Sequence, residues 1–247
     1  LEHDSGNGKA NSLVKVDDDT YVLAYQGPGD DGFITTFTIP ADGSTITKVA
    51  TLEHDTDYAK NNSLVQVDND TYALAYQGPG DDGFITTFTI PADGSSITKV
   101  ATLEHDTGNG KGNSLVKVDE NTYALAYRGP GDDGFITTFT IPADGSTITK
   151  VASLEFDTGN SKSNSLVQVD NDTYALAYQG PGDDGFITTF TIPADGSSIT
   201  KVATLEHDTN KDDHNSLVKL NSKTYALAYN GPSDDGYITT FTIPTYL

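Results

Sequence analysis

Residues 27–44 read GPGDDGFITTFTIPADGS, and these eighteen letters recur without change. The copies begin at Gly27, Gly78, Gly129 and Gly180, and an altered copy, GPSDDGYITTFTIPTYL, begins at Gly231. Aligning the sequence on NSLV sets an interval of 51 residues between Ser12 and Ser63, and the same interval separates all later copies. The chain is therefore five copies of one unit, with a period typical of solenoids, propellers and arrays.

One unit contains four short runs rich in Val, Ile, Thr, Tyr and Phe, at residues 12–16, 20–26, 32–39 and 45–55. Between them lie DDD, GPGDD and PADGS, whose Gly, Pro, Asp and Ser favour turns and interrupt helices. Apolar and polar residues alternate by two along Phe33, Thr35 and Phe37, and no run has the spacing of an amphipathic helix. The pattern predicts a four-stranded antiparallel meander.

Five such meanders arranged about one axis predict an all-β, five-bladed β-propeller with four-stranded antiparallel blades. We interpret residues 1–247 as a single domain, with repeat units at about 5–55, 56–106, 107–157, 158–208 and 209–247 plus 1–4. The fifth unit stops where its fourth strand should begin, and the opening LEHD matches the end of such a strand. We therefore expect the two terminal segments to share the last blade and close the ring, without any need for an oligomer.

The net charge of the chain limits the classes of partner that it can bind. It has 36 acidic residues against 14 Lys and Arg, a formal net charge of -22, which repels phosphate backbones and anionic lipid headgroups. Cysteine is absent, which excludes disulfides and thiolate metal sites, and the apolar runs are far shorter than the roughly 20 residues of a membrane helix. We expect no nucleic-acid partner and no membrane insertion; cations, neutral glycans and basic proteins remain candidate partners.

In repeat number and strand plan, the five units resemble the blades of five-bladed lectins of the tachylectin-like type. The stretch LAYQGPGDDGFITTF at residues 23–37 is also similar to acidic secreted repeats that are thought to build blades. These resemblances imply a binding module that is extracellular or at the cell surface. They carry over no ligand-contact residue.

The turn after the second strand carries an Asp doublet in every unit. The doublets are Asp30 and Asp31, Asp81 and Asp82, Asp132 and Asp133, Asp183 and Asp184, and Asp234 and Asp235. Their carboxylates suit sugar hydroxyls or calcium, so calcium is a candidate ligand, although no cofactor is required. The alternative is a tight turn in which Asp accepts hydrogen bonds from nearby backbone amides.

Two other sets of side chains recur in register. Asparagines that precede the first strand are candidates for a ligand contact at the central channel or, alternatively, for capping the strand's own backbone: Asn11, Asn62, Asn113, Asn164 and Asn215. Histidines occupy one register at His3, His54, His105 and His207, but Phe156 stands there in another unit. The phenylalanine favours packing over a metal site.

The function hypotheses follow from the repetition. If the strands alternate in direction, the doublet turn and the variable loop before each first strand lie at one end of the blade, where binding loops are usual. Several equivalent sites would gain strength by avidity on a repetitive surface. We therefore expect a multivalent glycan-binding module that is not an enzyme, since near-identical blades offer no single asymmetric site. The alternatives are a structural or adhesive scaffold of a larger secreted protein, with or without calcium, and a glycosidase-like propeller enzyme.

Overall fold

The computed structural model describes residues 1–244; residues 245–247, the end of the predicted fifth unit, lie outside the described part. Within it the regular structure is nineteen β-strands and five short 3₁₀ turns, which confirms the all-β prediction. The chain forms two compact units. The first comprises Leu1–Lys111 and Ile141–Thr149, and the second comprises Gly112–Thr140 and the chain from Lys150 onward.

The first unit holds the sheets of the first two repeats. Their strands are β1 (Lys9–Lys15), β2 (Thr20–Gln26), β3 (Gly32–Thr38), β4 (Thr47–Asp55), β5 (Lys60–Asp68), β6 (Thr71–Gln77), β7 (Gly83–Thr89) and β8 (Thr98–Asp106). Each sheet is an antiparallel meander in chain order, β1-β2-β3-β4 and β5-β6-β7-β8.

The second unit holds the other three sheets. Their strands are β9 (Lys111–Asp119), β10 (Thr122–Arg128), β11 (Gly134–Thr140), β12 (Thr149–Asp157), β13 (Lys162–Gln168), β14 (Thr173–Gln179), β15 (Gly185–Thr191), β16 (Thr200–Asp208), β17 (Asp213–Lys219), β18 (Thr224–Asn230) and β19 (Gly236–Thr242). The third and fourth repeats have four strands in chain order, and the fifth has three, β17-β18-β19.

The second strand of each repeat lies deepest in its sheet. All seven residues of β6 are buried, because TYALAYQ is apolar or aromatic on both faces and packs on each side. In the first unit Tyr76, Leu74 and Phe88 join Val22 and Ile34 of the preceding repeat in one cluster. Aromatic side chains bury the largest areas, so these contacts between consecutive repeats supply much of the core.

The first strands of the first, second, fourth and fifth repeats contain a bulge that the alternation of residues did not predict. Between Lys60 and Ser63 the register with β6 shifts by one residue, and Asn61 has a positive φ of 54°. The same left-handed conformation recurs one period apart at Ala10, Gly112, Ser163 and His214. Such a bulge bends the strand at its start and re-aims the asparagine that follows.

The fifth sheet differs from the expected shared blade. Among the described residues it has three strands, and Leu1–Asp4 is not a strand of any sheet. Instead, His3 packs edge-on against Tyr25 with ring centroids 4.7 Å apart, and the Tyr25 hydroxyl donates to Asp4 Oδ2 at 3.2 Å. The N-terminal segment is therefore held to the first repeat through its side chains.

Candidate functional site

The doublet turn and the variable loop meet at one end of the sheet, as the sequence predicts. In the first unit the Ala59 N–H donates to the Asp30 carbonyl at 3.3 Å, and the Gly110 N–H donates to that of Asp81 at 3.0 Å. In the second unit the Asp212 N–H donates to the Asp183 carbonyl at 2.9 Å. A main-chain hydrogen bond thus fixes each of these loops to the first Asp of a doublet.

The backbone of the doublet turn is strongly constrained. In the first repeat Pro28–Asp30 forms a 3₁₀ turn in which Gly29 and Asp30 have φ values of 76° and 71°. The Gly27 N–H donates to the Asp31 carbonyl at 2.9 Å and closes the turn. A Cβ added at Gly29 would lie 2.9 Å from Asp31 Oδ2, so the second Asp folds back beside this glycine. The turn interpretation accounts for the glycines and the backbone of both acids.

The side chain of the first Asp is held by polar neighbours. Gln26 Nε2 donates to Asp30 Oδ1 at 2.7 Å, and in the third repeat Arg128 Nε donates to Asp132 Oδ1 at 2.8 Å. A lysine adds charge in the fourth repeat, where Lys162 Nζ lies 3.4 Å from Asp183 Oδ1. The side chains of Asp132 and Asp183 remain exposed to solvent, and a binding role for the doublets stays a prediction.

The predicted asparagines lie at the start of the first strands, directly after the bulge. Asn62 Nδ2 donates to the Ala59 carbonyl at 3.2 Å, and Asn11 makes the same contact with Gly8 at 3.0 Å. Asn164 reaches the Gly112 carbonyl at 3.0 Å. The bonds of Asn11 and Asn62 tie each loop to its own strand, which is the capping alternative, whereas Asn164 bonds the first strand of the preceding repeat. A ligand contact by the asparagines, Asn113 and Asn215 included, stays a prediction.

The histidine register packs against aromatic rings. His54 meets Tyr76 edge-on at 5.0 Å, and Phe156 meets Tyr178 in the same way at 5.1 Å. Burial lowers the pKa of His54 to about 3, with a smaller contribution from the positive charge of Lys99. The imidazole is therefore neutral at physiological pH and serves the core, as the phenylalanine at this position indicates.

A polar pocket of about 520 Å³ opens in the second unit between the fourth and fifth repeats. It is bounded by a doublet turn on one side and the variable loop of the fifth repeat on the other. Its lining residues are Lys162, Gln179, Gly182, Asp183, Thr209, Asn210, Lys211 and Asp213. Two ammonium groups, two carboxylates, two amides and a hydroxyl thus converge on one open space.

This junction is chemically unlike the others. Lys211 stands where the earlier units have Asn7, Tyr58, Asn109 and Asn160, and Asp213 stands where they have lysine. In the same loop Asp212 is fully buried, and its Oδ2 lies 3.3 Å from Nε2 of His207, whose side chain is 4% exposed. Burial raises the pKa of Asp212 to about 7. Sequence reasoning missed this pair, although Asp212 replaces Ala59, Gly110 and Ser161 and so could have been noticed.

No group of three or more His, Asp or Glu side chains in residues 1–244 is placed to hold a metal ion. Calcium binding at the doublets stays a prediction. In the same part of the chain there is no helix of a length and hydropathy that would cross a membrane.

Comparison with known proteins shows which solved structures are similar to this chain. No family model and no curated protein matches the sequence. Among solved structures, a mutant of AofleA from Arthrobotrys oligospora is similar over 98% of this chain and 71% of its own, with a TM-score of 0.68 and 11% identity. The NanB sialidase from Streptococcus pneumoniae is similar over 86% of this chain and 36% of its own, with a TM-score of 0.60 and 12% identity.

An exo-beta-1,3-galactanase from Phanerochaete chrysosporium is similar over 96% of this chain and 61% of its own, with a TM-score of 0.58 and 11% identity. This chain therefore spans little more than a third of the sialidase's length. Structural neighbours of this kind are β-propeller proteins, and at such identities the likeness shows the fold alone. The coarser prediction, a β-propeller, is confirmed.

The prediction that the chain is not an enzyme is corrected by these comparisons. The sialidase and the galactanase are enzymes on the same fold, so the architecture gives no ground for excluding catalysis. The prediction also required five equivalent sites, and the five junctions are not equivalent. Lys211, Asp212 and Asp213 make one junction unlike the rest.

Proposed function

We propose that the chain binds carbohydrate, and that the pocket between the Asp183 turn and the loop at residues 209–213 is a principal site. The observation that carries the proposal is the convergence of doublet and variable-loop side chains on this one pocket. Carboxylates accept from sugar hydroxyls, while lysine and amide groups donate to them, so the lining suits a ligand dense in hydroxyl groups.

The charges in the pocket favour a neutral or weakly charged glycan. Lys162 is paired with Asp183, and Lys211 is hydrogen-bonded to Asp234, which raises the pKa of that lysine. With both ammonium groups engaged by carboxylates, the site offers little net attraction for a polyanion. The other doublets would then act as weaker sites that add avidity on a repetitive surface outside the cell.

The test is a glycan array probed with the purified chain in calcium-containing buffer and, in parallel, in chelator. We expect a coherent set of glycans to be bound. Loss of binding in chelator would assign calcium to the doublets, and unchanged binding would assign direct recognition. If no glycan is bound on either array, the proposal is wrong and the scaffold hypothesis is favoured.

Two matched variants locate the site. Asp183→Ala removes the doublet carboxylate that lines the pocket, whereas Asp30→Ala makes the same change in the first repeat. We expect at least tenfold weaker monovalent binding for the first variant and less than twofold weakening for the second. Equal losses of affinity in the two variants would show that the sites are equivalent and that this pocket is not a principal site. Free sugar released from the bound glycan would show that the same pocket hydrolyses its ligand.

A further inference from the structure

The polar pocket of the second unit has an acid where other repeats have a cation. The first strand of each of the first four repeats begins with lysine, and that of the fifth begins with Asp213. In the first unit such a lysine lies near a doublet, since Lys111 Nζ is 3.7 Å from Asp81 Oδ2. Two periods later these positions are held by Asp213 and Asp183, which both line the pocket. A carboxylate therefore replaces the cation.

The two lysines of the pocket are each engaged by another aspartate. Lys162 Nζ lies 3.4 Å from Asp183 Oδ1, and Lys211 Nζ donates to Asp234 Oδ1. When these two pairs are counted as neutral, the charge of the Asp213 carboxylate remains. The pocket therefore presents a negative charge to a ligand, on a chain whose formal net charge is -22.

Hydrogen bonds hold one oxygen of Asp213 and leave the other to a ligand. Ser163 Oγ and the His214 N–H both donate to Oδ1, the N–H at 2.8 Å. His214 Nδ1 lies 3.5 Å from Oδ2, but that imidazole is 83% exposed and a ligand can displace it. Burial raises the pKa of Asp213, but the hydrogen bonds from Ser163 and His214 outweigh burial, and the pKa is lowered. The group is therefore a carboxylate at neutral pH.

An ammonium group is the donor that gains most from such an acceptor. A hydrogen bond between two charged groups is roughly twice as strong as one between neutral groups. The Asp213 side chain is 31% exposed, and partial burial reduces the screening of its charge by salt. Gln179, Thr209 and Asn210 line the same pocket and supply neutral groups for sugar hydroxyls. The lining thus combines recognition of hydroxyls with one acceptor for a cation.

We propose that Asp213 makes this pocket selective for glycans with unsubstituted amino groups, and that its Oδ2 accepts from the ammonium group of an amino sugar. The inference rests on the proposed carbohydrate binding and names the class of sugar. An N-acetylated sugar keeps the hydroxyl groups but has no ammonium group, so it loses this contact. A neutral hexose loses it as well.

The test compares three tetrasaccharides with the same linkage, those of glucosamine, N-acetylglucosamine and glucose. Each is titrated into the whole chain by calorimetry at neutral pH and physiological ionic strength. We expect the glucosamine tetramer to bind about fivefold more tightly than either of the others, because it alone forms the charged hydrogen bond. Raising the salt concentration should reduce this difference.

Two matched variants assign the selectivity to one side chain. Asp213→Asn keeps an acceptor for Ser163 and removes the charge, so the preference for glucosamine should fall below about twofold while binding of the N-acetylglucosamine tetramer is retained. Asp18→Asn makes the same change of charge in the first repeat, at a side chain that is 98% exposed, and should leave the preference unchanged. Circular dichroism checks that both variants fold.

The possible outcomes separate this inference from the proposed function. Equal affinities for the three tetramers overturn the inference and leave carbohydrate binding standing. A preference that survives Asp213→Asn, or that falls equally in both variants, also overturns it, because the attraction then comes from other charges of the chain. If no tetramer and no glycan of the array is bound, the proposed function and the inference are both wrong.

Discussion

Asp212 is a buried carboxyl group with a strongly shifted pKa. Its carboxyl is fully buried, and its Oδ1 accepts from Asn215 Nδ2 at 2.6 Å. Burial raises its pKa from 3.8 to about 7, and burial also lowers the pKa of the neighbouring His207. Both groups therefore favour their neutral forms, and the imidazole supplies no compensating charge.

This environment predicts a pH-dependent stability. An acid whose pKa is raised on folding is stabilised in its protonated form, so stability is highest below pH 4 for this group and is lost as pH rises towards 7. We expect the free energy of unfolding of the native chain to fall by about 2 to 4 kcal/mol relative to Asp212→Ala across this interval, at about 1.4 kcal/mol per pKa unit. Thermal melts of both proteins from pH 4 to 8 measure the difference.

Ser161 supplies the matched control. It occupies the same position one repeat earlier, is fully buried and bonds Asn164 through Oγ at 2.6 Å, but it has no titrating charge. Ser161→Ala should shift the melting temperature by the same amount at every pH. Parallel pH profiles for the native chain and Asp212→Ala would contradict the assignment of a buried, proton-holding carboxyl.

The strand plan was predictable from the sequence because the apolar runs alternate and are separated by residues with strong turn preferences. The bulge in the first strands was not, since its left-handed position is occupied by Ala10, Asn61, Gly112, Ser163 or His214. Gly112, Asn61 and His214 are of types found in this conformation, whereas Ala10 and Ser163 are not. A feature fixed by tertiary packing leaves no consistent local signal.

The PADG turns show how a loop stabilises the neighbouring sheet. Gly43 and Gly94 have almost the same left-handed conformation, with φ values of 65° and 66°. A Cβ at Gly43 would have no neighbour within 4 Å, whereas one at Gly94 would lie 2.9 Å from Thr20 Cγ2 and 3.1 Å from Thr36 Cβ. The second turn is therefore docked on the first repeat at Gly94.

These two glycines therefore separate backbone strain from docking. Alanine at either position should cost about 1 kcal/mol for the left-handed conformation. Gly94→Ala should lower the free energy of unfolding by a further amount of about 1 to 3 kcal/mol, because the added methyl group overpacks the contact with the first repeat. Urea unfolding of the two variants gives the comparison. Equal destabilisation would show that the docked turn contributes little.

The shared end of the doublet turns and variable loops followed from strand alternation alone, and the structure confirms it. The polar pocket was not predicted, because aligning the repeats emphasises the residues that they share. Lys211 and Asp213 contribute to the pocket because they differ in type from the residues at the same positions of the other repeats. In a repeat protein the residues that all units share predict the scaffold. The residues that differ between units form the distinctive site.

Stability in a repeat protein depends on how well each unit is packed, and matching residues of different repeats can differ in their exposure. The fifth repeat shows this in its exposure. Ile136 in the third repeat is fully buried, but Ile238, the same residue two periods later, is 80% exposed. In the first unit Leu13 is 60% exposed, whereas the matching Leu64 is 5% exposed.

The matched isoleucines give a direct test of this gradient. Ile136→Ala removes buried apolar volume and should lower the free energy of unfolding by about 2 to 4 kcal/mol. Ile238→Ala should change it by less than about 0.5 kcal/mol, since surface substitutions usually have small effects. Calorimetry of both variants measures the contrast at a low chain concentration. Similar losses in the two variants would mean that a partner or another segment covers Ile238 in solution, and the fifth repeat would then be as fully packed as the third.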